Sequence, residues 1–228
     1  MEKAIYGLIL LILAALPYLS SRVMMPELIR IGRPQLYLEM VKSSWILMFG
    51  VVLTSLLFGT RPAELGLVFW STETDLLTFG CVMGANILLY FLFIRSRKSD
   101  RIKKMLRPLF SSEAERALLP RNEDERRSWR AVAWTAGVTE EAIYRGFWLY
   151  AAPLLLPAPS AIHLILMGIV FGMAHAYQGK SAIFVTGAMG IGFGFLYVKL
   201  QILWPLMLLH ALLDLLPTFV HNEKTTNQ

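Results

Sequence analysis

Apolar residues in this chain come in long uninterrupted runs, separated by short polar segments. Runs of this length read as membrane-spanning helices and not as the core of a soluble domain. Seven candidate spans follow: Ala4–Leu19, Ser44–Gly59, Leu76–Ile94, Ala131–Leu156, Ala161–Tyr177, Ala182–Val198 and Ile202–Val220. The expected fold is therefore all-α, a polytopic transmembrane helical bundle of about seven spans. The second run is short, and Pro62–Trp70 after it reads as an interfacial or re-entrant piece. The first follows only Glu2-Lys3 and has no clean small-x-small site behind it. It is expected as a retained span and not as a signal peptide.

Polar punctuation divides the chain into three parts. Residues 1–130 hold the N-terminal spans and a basic connector, Arg95–Arg130. Residues 131–220 form a helical region, and 221–228 form a polar tail expected to be disordered. Within the connector, Ser112-x-x-Glu115 matches a capping box that would open a short helix, Glu113–Leu119.

The composition agrees with a membrane protein, at 56% hydrophobic and 17% charged. A net charge of +6 could suggest nucleic acid. The basic residues instead cluster beside the spans, where Lys and Arg set topology, so no nucleic-acid partner is expected. Of the 22 Lys and Arg, 18 lie on one side if the N-terminus is placed outside and the C-terminus inside. The Arg95–Arg130 connector is then cytoplasmic, beside anionic lipid headgroups. The single Cys81 excludes an intramolecular disulfide and a Cys₄ or CxxC metal site. Gly190-x-x-x-Gly194 reads as a small-residue face for close helix packing. Gly179-Lys180-Ser181 looks like the end of a phosphate loop, but Ala174 stands where its glycine is required.

The exceptions to the apolar pattern carry the chemistry. Thr139-Glu140-Glu141-Ala142-Ile143-Tyr144-Arg145 lies inside an apolar run. Each such charge costs roughly 2.5–3.5 kcal/mol at mid-bilayer, so intramembrane ionisable residues usually face a cavity and have a function. Glu141 and Arg145 are four apart, suited to an ion pair. Glu140 points about 100° away and is left free. Phe171-x-x-x-His175 ends the fifth run, and His210-x-x-x-Asp214 lies in the seventh. At about 1.5 Å per helical residue, Glu140 and His210 lie at similar depth, with His175 and Asp214 shallower on the same side. A Glu beside a His can take a proton from water, and a second His can donate to an oxygen that gains charge. That set suits hydrolysis of a peptide bond at the membrane. No Gly-x-Ser-x-Gly elbow and no His-Glu-x-x-His zinc helix occurs. Glu140, His175 and His210 could still form a zinc site.

These three motifs, in this order in successive apolar segments, resemble the CAAX protease and bacteriocin-processing (CPBP/Abi) family. That family includes the type II CAAX prenyl endopeptidase. Pro62-Ala63-Glu64-Leu65-Gly66-Leu67 also looks like its upstream segment. The resemblance implies an intramembrane endopeptidase in which Glu140 with His175 activates water. His210 and Asp214 would stabilise the oxyanion, while Glu141 and Arg145 support the site. It implies a glutamic, metal-free mechanism, with zinc as the alternative. Asp214 stands where Asn is common, and an ionised Asp cannot donate a hydrogen bond. The expected partners are membrane lipids and a peptide or protein C-terminal region as substrate, in the plasma membrane if the source is prokaryotic. The competing classes are a non-catalytic scaffold or immunity protein, and a transporter using Glu140 and His175 as a proton relay.

Overall fold

The structure, a computed structural model, describes residues 1–106 and 117–220. The Ser112-x-x-Glu115 capping box and the 221–228 tail lie outside the described residues. Among those described there is no strand. The helices are α1 (Glu2–Leu57), α2 (Leu76–Lys98), α3 (Asp100–Leu106), α4 (Glu123–Glu140), α5 (Leu149–Leu155), α6 (Ser160–Ala174), α7 (Lys180–Leu200), α8 (Trp204–Leu215) and α9 (Pro217–Val220). A π-helical segment, Glu141–Trp148, joins α4 to α5.

Three of these helices are long and apolar enough to cross a membrane: Arg30–Leu57 within α1, Leu76–Lys98 and Lys180–Leu200. The apolar helices α6 and α8 have only 15 and 12 residues. The seven apolar runs all fall on helical segments, but a run of apolar letters overstates helix length. Ala161–Tyr177 loses its last turn because His175 caps α6. Ile202–Val220 is divided before Pro217, which has no N–H to continue the ladder.

The largest departure from the sequence reading is α1. The polar stretch between the first two runs reads as a loop, yet it is helical, interrupted only at Gly32 (φ 76°, ψ 167°). A positive φ is open to glycine and strained for other residues. The break turns the chain back on itself. Tyr6 near the start of α1 bonds Thr60 just past its end, at 2.9 Å, and sets its ring edge against Phe58. Thus α1 is a helical hairpin, with its elbow at Gly32.

Close backbone approach organises the rest. Gly168 and Gly172 of α6 meet Gly187 and Gly190 of α7, so a Cβ on Gly172 would stand 2.3 Å from the Ile183 carbonyl. Gly137 of α4 lies against α8, where a Cβ would come within 2.7 Å of the Met207 carbonyl. Asn122 caps α4, accepting from the Glu125 amide at 2.9 Å.

Segments assigned by charge to the same side of the membrane do meet. At one end, Arg33 donates to the Ala117 carbonyl at 2.9 Å, and Tyr37 donates to that of Leu118. Leu28, Leu36, Leu118 and Tyr177 pack together there. At the other end, the Asp75 amide donates to the Lys199 carbonyl at 2.9 Å and the Leu203 amide to that of Gly66 at 3.1 Å. The Pro62–Trp70 piece is both buried and superficial. Leu65 is 1% exposed, while Phe69 is 79% exposed and stacks on Trp204. The Arg61 amide bonds Glu64 and holds its carboxyl below the usual carboxylate range.

Candidate functional site

The sequence places ionisable residues on the chain stretch from α4 into the π segment, at the end of α6 and in α8. The fold brings them to one place. Glu141 and Arg145 are almost fully buried, at 0% and 1% side-chain exposure, and form an ion pair at 3.0 Å. An isolated charge cannot be buried at this cost, and a paired one can. Arg145 is sandwiched further: its guanidinium lies 4.6 Å from the Phe171 ring centre and 5.3 Å from that of Phe193. It also reaches the Gly190 carbonyl at 3.4 Å. This last contact is available because glycine lets α7 approach closely. Here the helix is π, not α as the four-residue spacing suggests. Such wide turns recur at functional sites.

Glu141 does more than balance Arg145. Its Oε1 also accepts from His210 Nδ1 at 2.7 Å. A carboxylate accepts only, so Nδ1 carries the proton and Nε2 faces the other way. His210 Nε2 lies 3.8 Å from Glu140 Oε2 and 3.7 Å from Asp214 Oδ2. Phe171 and Phe193 set their rings edge-on to the imidazole, with centres 6.2 and 5.9 Å away. The ring is thus held on all sides except toward Glu140 and Asp214. The Asp214 backbone is held in turn, since the Trp129 indole donates to its carbonyl at 3.0 Å.

Glu140 is turned away from this pair, as its position on the helix requires. Its Oε2 is a buried atom with no hydrogen-bond partner among the described residues. Glu140 and His175 line one cavity of about 380 Å³. His175 Nδ1 contacts the Phe171 carbonyl at 2.9 Å. A carbonyl also only accepts, so this nitrogen donates and Nε2 is the one that carries no proton in the neutral ring. Glu140, His210 and Asp214 therefore stand together, and His175 joins Glu140 across the cavity. Both Nδ1 atoms are committed to oxygen. Among the described residues, no group of three or more His, Cys, Asp and Glu side chains stands in metal-holding geometry.

His163 lacks a place in this cluster. His163 is buried at 2%, with both ring nitrogens unpaired among the described residues, and His221 lies outside them. The sequence reading missed the cavity's other wall. Leu16, Met40, Ser44 and Leu47, all from α1, face Glu140 and His175. Nothing in an apolar helix marks which residues face lipid and which face a pocket.

Residues 127–216 match the family model described as type II CAAX prenyl endopeptidase Rce1-like. This covers less than half of the 228-residue chain but includes all three motifs. The match agrees with the CAAX protease resemblance read from those motifs. Comparison with curated proteins and with solved structures gave no match.

Proposed function

We propose, from an Rce1-like stretch that spans residues 127–216, that this chain is a membrane-embedded, multi-pass endopeptidase that splits a peptide bond by a glutamic mechanism. Its substrate is a membrane-associated peptide or a protein's C-terminal region. The observation that carries the reading is Glu140 Oε2, a buried oxygen with no hydrogen bond among the described residues, 3.8 Å from His210 Nε2 and in one cavity with His175.

Glu140, assisted by His175 Nε2, takes a proton from water, and the water oxygen bonds to the carbonyl carbon. The carbonyl electron pair moves onto its oxygen. His210, held by Glu141 and protonated on both nitrogens, donates Nε2–H to that oxyanion. Such donors, aimed in advance, supply much of the rate in acyl transfer. Asp214 orients His210 and is not itself the donor. The oxyanion collapses, the C–N bond breaks, and the proton from Glu140 passes to the departing nitrogen. Arg145 stays outside the reaction and keeps Glu141 charged in a buried place.

The test uses purified full-length chain in proteoliposomes with a library of membrane-anchored peptides. Glu140→Gln should lower cleavage by about 10²–10⁴-fold, the usual worth of a general base. Cleavage that survives at wild-type rate in this variant would remove Glu140 from the reaction, and a wild type that cuts no better than the variant would leave the scaffold class standing. Treatment with a chelator should leave the wild-type rate intact. A loss restored by added zinc would assign the chemistry to a metal.

A further inference from the structure

We propose that the α1 hairpin selects the substrate, with Leu16, Met40 and Leu47 forming the pocket for an apolar side chain beside the scissile bond. This rests on the endopeptidase reading above. The cavity of about 380 Å³ lies at the lower end of the range for small-ligand sites. Glu140 and His175 are part of its lining, so whatever fills it touches the reacting groups. Leu16 enters from the first arm of α1, and Met40 and Leu47 enter from the second.

Apart from Glu140 and His175, no side chain lining this cavity is ionisable below the tyrosine range. A charged substrate side chain would lose its water here and meet no opposite charge away from the reacting groups Glu140 and His175 themselves. An apolar side chain loses nothing of that kind and gains burial. The occupant is thus a stretch of peptide whose apolar side chain lies against α1 while its carbonyl faces Glu140.

The wall is also held firmly enough to discriminate by size. The Trp45 indole, between Ser44 and Leu47 on the same helix, donates to Thr135 of α4 at 3.0 Å. Tyr6 and Thr60 close the far end of the hairpin. The stretch matched to the family, 127–216, supplies the ionisable groups. A segment outside it supplies the shape that those groups act on.

The experiment measures kcat/KM on membrane-anchored peptides that differ only at the residues flanking the cleaved bond, for wild type, Leu47→Trp and Met40→Ala. Glu140→Gln is the blank, and thermal melting checks that each variant is folded. One methylene in a pocket is worth about 10–200-fold in kcat/KM. Leu47→Trp should therefore shift the ratio of Leu to Ala peptides at one flanking position toward Ala by at least about tenfold. Met40→Ala should shift the same position toward Phe. Unchanged preferences in both folded variants, with wild type still cutting, overturn the selection role and leave the endopeptidase reading intact. The selection role is equally overturned if native mass spectrometry shows Leu47→Trp expelling a bound lipid while peptide preference stays fixed. If wild type cuts no better than Glu140→Gln, the endopeptidase reading falls, and this proposal with it.

Discussion

Glu140 and Glu141 are neighbours with opposite situations. Glu141 is sealed in the bundle, with Arg145 at 3.0 Å and His210 at 2.7 Å from its Oε1, while the Glu140 side chain is 28% exposed and lines the cavity. The difference comes from one step of helix rotation. Replacing Arg145 tests how much the sealed pair matters. Arg145→Met removes the positive charge and leaves Glu141 buried against His210 alone. Breaking a buried pair from one side costs about 3–5 kcal/mol, so thermal or denaturant unfolding in detergent should reveal a large loss of stability. A variant that melts like wild type would mean that Glu141 does not depend on Arg145. At this scale the sequence was informative, because a charge in an apolar run is conspicuous and helical spacing sorts the partners. The Glu141–His210 contact was not legible, since it joins residues 69 apart. Spacing along one helix says nothing of how two helices face each other.

At the scale of elements, glycine positions set the distances at which the ionisable groups meet. Gly137 lies one turn before Glu141, and α8, which carries His210, packs directly on it. A Cβ there would sit 2.7 Å from the Met207 carbonyl and 2.9 Å from Ala211 Cβ. Gly137→Leu should push α4 and α8 apart. The expected cost is about 1–3 kcal/mol, typical of overpacking, with a fall in peptide cleavage beyond what the lost folded fraction explains. Melting curves and rates measured on the same preparation separate the two. Equal activity per folded molecule would show that the site tolerates the displacement. The face formed by Gly190 was visible in its spacing, and it does meet Gly168 and Phe171. The α1 hairpin was not visible. Its elbow is a single glycine among polar residues, which read as readily as a loop. The π segment was equally hidden, because its residue types do not distinguish a wide turn from an ordinary one.

For the whole molecule, the proposed orientation assigns the Arg33–Leu118 end to the cytoplasm and the Arg61–Asp75 end to the outside. Charge bias gives that assignment, and the contacts group the segments accordingly. The assignment can be checked with single cysteines in a Cys81→Ser background. Glu73→Cys, in the loop before α2, should react with a membrane-impermeant thiol reagent in intact cells. Met105→Cys, 61% exposed at the other end, should react only after permeabilisation. The reverse pattern would invert the topology and put the cavity's polar groups near the outer leaflet. The number of crossings was only partly legible. Apolar runs fell on helices, but only three of the described helices meet the length and composition of a span; the His175 cap and Pro217 shorten two of the others.

The elbow at Gly32 has a consequence for how the site comes into being. Part of the pocket lining is made early in synthesis and the reacting groups come late, so the first arm of the hairpin must wait, already in place, for helices that appear over a hundred residues later. A fragment trimmed to the recognisable stretch would carry Glu140, His175, His210 and Asp214 and lack the α1 wall that faces them across the cavity.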